Sequence, residues 1–575
     1  MQYLIRASMM VALAMLASGC DATLETPETQ TDDYRGPDTV IHKQVSMTHQ
    51  EDQIALGAAR SVHVTVDLGS SPKDLYAVLA NGSSVHTSRP TTSINTRHIG
   101  RASSLQRRTN SPTSGSANIA QSLRDTIDRF NATLHPALRR DATSASSARQ
   151  AKQIAAVGKS VGDERIFYLD ATSSGNQTRA ILTHTKSVST AYGTKTVDIW
   201  ISKESYQGAS CTKKYCVSDA QIKELADTFL SDGMDNDIYD WVTNIYGEEW
   251  GPQAQQKADN LIDDHDTITI LLTDIEKDNN PSEGMIGYFY SKDNYKQSAI
   301  SGSNETVMFY IDSVIFANPD TSKTDWKKET YATLAHEFQH MIHFYQKAVL
   351  LNTSTDIWLN ELLSETTEDL IATKIGHTGP RGVDPADGSA GQPDNPLGRY
   401  PLFDYYDYLS LSSWNNSLIN YSKVSAFGTF LTRNYGGAKV LHDILYNNSG
   451  GANAIEQATN KSMQTLLGQW GVAILLSDRV RPAGSDHNTT YNTGDYVTDT
   501  YQNATYKLGA INFYNYAIID QSNQVLWRGP KIFDKDGEVA PHAIYLYKIG
   551  ENLSGKVEVD FANLNGQTSV TLVTK

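Results

Sequence analysis

Between Tyr331 and His340 the chain reads Tyr-Ala-Thr-Leu-Ala-His-Glu-Phe-Gln-His, which places His336, Glu337 and His340 in the pattern HExxH. On a helix turning about 100° per residue, His336 and His340 project within about 40° of each other. Leu334, Phe338, Met341 and Tyr345 fall on the opposite side, so an apolar face can anchor the helix while both imidazoles point into a cleft. One tetrahedral zinc ion per chain can take both nitrogens, and a catalytic zinc needs a third protein ligand and an open position for water. Further along, Trp358-Leu-Asn-Glu-Leu-Leu-Ser-Glu365 offers Glu361 and Glu365 on one helical face. Glu361 is the better third ligand. Glu365, one turn on, can accept a hydrogen bond from a ligating imidazole and fix its tautomer. Glu337, beside the first ligand, is placed to take a proton from zinc-activated water and pass it to a leaving amine. The chemistry these residues can do is amide hydrolysis through a tetrahedral intermediate.

Holding those groups in place requires two helices and a floor beneath them. Thr267–Leu272 and Val307–Ile311 are near-continuous apolar runs that read as buried strands. Ile166–Leu169, Ala180–Leu182 and Val197–Ile201 read as further strands, and Gln221–Leu230 and Ile238–Tyr246 as helices. Helical patterns occupy most of 325–375 and 422–478. From Thr505 to Val573 short alternating runs separated by turn residues predict a small antiparallel β domain. Near the other end, Val62, Val64, Val66 and Leu68 alternate as a strand, followed by a short element at Leu75, Val78 and Leu79. Ile119, Leu123, Ile127, Phe130 and Leu134 stand at helical spacing. Ser-, Thr- and Arg-rich stretches, Thr87–Ser116 and Arg139 to about Lys159, surround this helix. Arg107-Arg108 and Arg139-Arg140 lie in or beside them, where proteases cut most readily. The expected organisation is a signal peptide over 1–19, a partly disordered tether and pro-region with a small β/α element over 20–160, a catalytic domain over 161–485, and a C-terminal β domain over 486–575.

HExxH followed by NExxSE resembles the gluzincin arrangement of thermolysin-type peptidases. A closer resemblance is to hyicolysin-like bacterial metallopeptidases, carried by HEFQHMIHF (336–344) and WLNELLSE (358–365). DIYDWVTNIYGEEWG (237–251), TDIEKD (273–278) and GYFYSKDNY (287–295) support it, over roughly residues 195–480. The resemblance implies an α+β fold with a mixed-sheet subdomain and a mainly helical one. It implies zinc on His336, His340 and Glu361, Glu337 as general base, and Glu365 behind the ligands. For the oxyanion donor, Tyr421 is similar in place to the transition-state tyrosine of gluzincin aminopeptidases, and His442, in the position-type of the thermolysin histidine, is its rival. His343 departs from the family pattern, where a small polar residue is expected. It faces the same way as the ligands, but a zinc that must keep a position for water makes a His packed at the cleft floor the better reading.

The expected substrates are proteins or peptides, cleaved internally. An aminopeptidase is the alternative within enzymes, but no GxMEN-type motif is present. A surface adhesin keeping the zinc fold is the alternative outside them, and the retained Glu337 argues against it. Lys plus Arg number 49 against 65 Asp plus Glu, a formal charge of −16 that gives no reason to expect nucleic acid. Ala7–Ala17 is apolar and too short to span a bilayer, and Leu16-Ala17-Ser18-Gly19-Cys20 resembles a bacterial lipoprotein signal. The expectation is an exported cell-envelope lipoprotein, at the periplasmic face or cell surface or released from it, held to the membrane by lipid on Cys20. In that oxidising setting Cys211 and Cys216 are expected to form a local disulfide. Asp274, Asp278, Asn280 and Glu283 could offer oxygens to Ca²⁺, although they do not match an EF-hand loop. Gly376–Gly398, rich in Gly, Pro and Asp, reads as a lid or a solvated insertion. Tyr400, Tyr405, Tyr406 and Tyr408 are expected to line a cleft wall. Nothing in the sequence sets the oligomeric state.

Overall fold

In the computed structural model, the runs of β-branched residues assemble into one six-stranded mixed sheet. Its strands are β6 (Glu164–Tyr168), β7 (Gln177–Thr190), β8 (Gly193–Ser202), β9 (Thr267–Thr273), β10 (Gly287–Phe289) and β11 (Val307–Asp312), in the order β10-β11-β9-β8-β7-β6. The structure describes residues 40–85, 91, 93–98, 119–138, 160–170, 176–322, 324–377, 399–482, 487–519 and 524–575. β8, β9 and β11 run parallel, and the remaining neighbours antiparallel. Central β9 and β11 are covered on both faces, which is why both read as unbroken apolar runs. On one face lie helices Asp219–Phe229, Ile238–Tyr246 and Trp326–His343, sharing the largest core. On the other, Ile127 of helix Ile119–Ala132 joins Trp200, Leu271, Tyr288 and Tyr310 in a second core. β10 is left as an edge strand.

Helix Trp326–His343 is started by Asp325, whose carboxylate accepts from Lys328 N, and runs on as a π-helical turn over Phe344–Leu350. Inside that turn Lys347 is buried, and its ammonium donates to the carbonyls of Ile444, Leu445 and Asn447, capping helix Ala438–Tyr446. Helix Ile357–Ile371 lies against Trp326–His343 and is crossed by helix Leu418–Asn434. A Cβ at Gly428 would sit 1.8 Å from Thr366 Oγ1, so only glycine allows that crossing. The helical pattern over 422–478 is broken into four helices, the others being Ala438–Tyr446, Gly451–Thr459 and Met463–Leu475.

The two ends of the described chain correct the expected domain layout. β1 (Val40–Ser46), β2 (Gln53–Ala58), β3 (Ser61–Asp67), β4 (Lys73–Asn81) and β5 (Ser93–His98) pair with late strands and form no separate unit. Those partners are β16 (Ile532–Phe533), β17 (Ala543–Leu553), β18 (Lys556–Ala562) and β19 (Thr568–Thr574). One sheet has the order β1-β3-β18-β5 and the other β16-β17-β4-β19-β2. The early strands of the expected tether and the late strands of the expected β domain therefore share one sandwich core, with Val62, Val64 and Val66 meeting Val557, Val559, Val570 and Leu572. In β4, Leu75, Ala77 and Leu79 face that core, while Tyr76, Val78 and Ala80 face the helical body through Met463–Leu475. Residues 1–39, with Cys20 and the expected signal sequence, lie outside the described residues, as do both arginine pairs and most of 376–398.

Candidate metal centre

His336 and His340 present their Nε2 atoms to one carboxylate, Glu361. His336 Nε2 is 3.2 Å from Glu361 Oε2, and His340 Nε2 is 3.5 Å from Glu361 Oε1. All three side chains are buried. For zinc–ligand bonds of about 2.0–2.1 Å, the edge of a tetrahedron is about 3.3 Å, so these separations fit one ion of that size. Two imidazoles and a carboxylate are also the donor set zinc takes in catalytic sites. Burial alone would raise Glu361, but His340 and His336 facing it hold the carboxyl well below the usual carboxylate range.

Each of these imidazoles is fixed from behind. Glu368 Oε1 accepts from His336 Nδ1 at 2.6 Å. Ser364 Oγ gives its own hydrogen to Gln339 Oε1 and so accepts from His340 Nδ1 at 3.1 Å. Both rings thereby keep Nε2 free for a metal. The hydrogen bond expected of Glu365 is made instead by Glu368. Glu365 is held by Arg399, with Nη2 at 2.9 Å and Nε at 3.1 Å, and burial pushes its carboxyl up to about 7 against that pull.

Glu337 lines the same cavity as His340 and Glu361. Its Oε2 accepts from Phe289 N at 2.7 Å, which ties the carboxylate to edge strand β10. A Cβ at Gly287 would come within 2.9 Å of Tyr310 O and Thr333 Cγ2, so glycine lets this strand lie against the HExxH helix. His343 also lines the cavity; burial, with His340 beside it, pushes it down to about 3, so it is neutral. It stands outside the group of converging donor atoms.

Neither oxyanion candidate is part of the cavity lining, but Tyr421 is bonded to one of its residues, Arg124, and His442 is not. The Tyr421 hydroxyl accepts from Arg124 Nη1 at 2.8 Å. Burial, opposed by Arg124 and reinforced by Glu361, raises it well above its ordinary value, so it stays a hydroxyl. His442 donates through Nδ1 to Ile245 O at 2.9 Å and stacks on Tyr446, away from the cavity lining. The four tyrosines expected on a cleft wall do not line the cavity either. Tyr400 packs on Phe513 and Tyr516, Tyr405 on Trp527 and Tyr408 on Phe533, because the late β segments fold back over that helix.

Cys211 and Cys216 are bonded. The expected calcium oxygens are spent locally: Asp274 pairs with Lys213 at 2.9 Å and accepts from Asn279 N, and Asp278 accepts from Asn280 N. They form no cation cluster among the described residues. The opposite wall of the cavity comes from helix Ile119–Ala132 through Arg124, Ile127, Asp128 and Asn131, residues whose sequence pattern marked a helix but no site. Asp128 is pushed up to about 7 by burial, with the Glu361 carboxylate facing it and Arg124 and His340 drawing it down.

A family profile described as Peptidase M30 matches residues 175–515. Neutral metalloprotease ShpI of Staphylococcus hyicus is 28% identical over 247 residues, 40% of this chain and 50% of that relative. The chain thus spans about half the length of the curated relative it matches.

Proposed function

The chain belongs to the peptidase M30 family, and on that premise we propose that it is an exported, lipid-anchored zinc endopeptidase. The observation that carries the reading is the convergence of His336, His340 and Glu361 on one point with Glu337 beside it. A zinc ion held there would supply Lewis acidity, polarising a peptide carbonyl and acidifying water. Glu337, steadied by Phe289 N–H, takes a proton from the attacking water and delivers it to the departing amine. The Tyr421 hydroxyl donates to the oxygen on which negative charge develops. Glu368 and Ser364 keep the two imidazoles in the ligating tautomer throughout.

Casein hydrolysis by the purified protein, with and without chelator, tests this reading. Chelator should abolish cleavage and added zinc restore it. Glu337→Ala should abolish cleavage while bound metal stays near one per chain. Chelator-resistant cleavage, or an active Glu337→Ala protein, refutes it. Blocking the N-terminus of a peptide substrate should leave the rate unchanged, since an endopeptidase does not read that group; a rate lost on blocking would make it an aminopeptidase.

A further inference from the structure

The polar face of helix Ile119–Ala132 turns Arg124, Asp128 and Asn131 toward the cavity that holds Glu337, His340 and Glu361. Arg124, Asp128 and Asn131 stand at i, i+4 and i+7, on one face of the helix. The apolar stripe Leu123, Ile127 and Phe130 is offset from them by one residue, about 100° around the axis. That stripe packs on the aromatic face of the sheet, with Phe130 edge-on to Tyr290 at 5.2 Å, and so turns the polar stripe into the cavity.

Arg124 Nη1 holds the Tyr421 hydroxyl at 2.8 Å, and its guanidinium lies 5.5 Å from the centre of the tyrosine ring. Asn131 Nδ2 donates to Phe289 O at 2.8 Å, and Asn131 Oδ1 accepts from Ser291 N at 2.9 Å. Its side-chain amide thus bridges a carbonyl at the end of β10 and the N–H of Ser291, two residues on at the start of the following 3-10 turn, the spacing that one residue of an extended peptide added in parallel would bridge. Asp128 lies in the cavity with Glu337, His340 and Glu361, and its Oδ2 is buried with no hydrogen-bond partner among the described residues. Buried beside the Glu361 carboxylate, Asp128 has the Arg124 guanidinium of its own helix to answer its charge, and a cation held by His336, His340 and Glu361 would answer it further.

We propose that residues 119–138 are a built-in inhibitor that imitates a bound peptide. Asn131 takes the place of substrate backbone on the strand edge, Asp128 the place of the reacting carbonyl or water before the metal, and Arg124 the oxyanion's hold on Tyr421. Helix and substrate exclude each other, so the chain as described is an inhibited form whose residual cleavage is set by the fraction of time the helix is displaced. This inference rests on the zinc-peptidase reading.

Its test uses the full chain with Asp128→Asn and Arg124→Met, alone and combined, each checked for an unchanged melting transition. In a Glu337→Gln background, where nothing is cleaved, a fluorescent casein peptide should bind the double variant at least about tenfold more tightly than the parent, because occlusion divides affinity by the open fraction. With Glu337 intact, casein hydrolysis should rise at least about tenfold. In the Co²⁺-loaded protein Asp128→Asn should change the visible absorption spectrum, which a residue that merely walls the cleft would leave alone. Should the melting transition shift, Asn131→Ala alone carries the binding comparison, with the same gain expected. Unchanged peptide affinity and unchanged hydrolysis overturn the proposal while leaving the peptidase reading intact. Tighter peptide binding with no hydrolysis in any form overturns the peptidase reading and leaves the occlusion standing.

Discussion

Glu368→Gln separates a metal-tuning carboxylate from its neighbours more cleanly than any change to a ligand. The 2.6 Å contact between His336 Nδ1 and Glu368 Oε1 is a charge-assisted hydrogen bond between buried groups. Glutamine keeps the shape and an accepting oxygen but removes the charge. A hydrogen bond to a charged group contributes about 1.5–3 kcal/mol, and a neutral one about 0.5–1.5 kcal/mol. The difference, about 1–1.5 kcal/mol, corresponds to roughly a tenfold loss of zinc affinity. That is the low end of the about 10–100-fold range for losing such a partner altogether. Competition with a chromophoric chelator near neutral pH measures it directly. Glu365→Gln is the matched control, since Glu365 stands close to His336 but hydrogen-bonds Arg399 and no imidazole. It should lower the urea midpoint, because weakening a buried ion pair costs up to about 3–5 kcal/mol, and leave zinc affinity within about twofold. Should Glu365→Gln weaken zinc as much as Glu368→Gln does, or should Glu368→Gln leave affinity unchanged, the assignment of the two carboxylates is wrong.

Tyr421→Phe should lower kcat about 10²–10³-fold with KM and metal content little changed, read by steady-state kinetics on a quenched-fluorescence peptide. Asp404 is buried, neither carboxylate oxygen has a hydrogen-bond partner among the described residues, and burial with Asp407 facing it raises its pKa well above the ordinary value. Above about pH 4 the unfolded chain releases this proton and the folded chain keeps it, so wild-type stability falls by about 1.4 kcal/mol per pH unit relative to Asp404→Asn until the folded group ionises. Urea midpoints of the two proteins should coincide below about pH 4 and diverge above it, and parallel curves would refute the reading. Arg433→Met strands Asp369, now 3.1 Å from the guanidinium and buried, and should cost about 3–5 kcal/mol in chemical denaturation.

Local pattern was enough to mark the group of residues that converge in the structure. His336, Glu337, His340 and Glu361 sit on helices whose periodicity is plain, and helical geometry alone brings the two histidines to one face. Glu368 could have been found the same way. Seven residues return it to within about 20° of Glu361, whereas Glu365 stands about 40° away. Arg399 was illegible because its pairing with Glu365 spans a stretch with no periodic signal. The sandwich was half legible: alternation marked β3, β18 and β19 as strands, but alternation does not say which strand pairs with which. Phe561 meets Val62 across almost the whole chain. For the same reason the 119–134 periodicity announced a helix and was silent about the cleft it enters.

The sandwich has a consequence for the order of events in folding. β18 lies between β3 and β5, and β19 between β4 and β2, so strands from the late part of the chain occupy interior places in sheets begun by the early part. While the chain is being synthesised, β2, β3, β4 and β5 must wait with open edges for partners that emerge last. Such long-range pairing is slow and leaves strand edges exposed to other chains meanwhile. A chain ending after β17 would lose interior strands from both sheets, and with β19 part of the surface on which Met463–Leu475 rests, so a clipped chain should be cleared as misfolded rather than persist as a smaller enzyme.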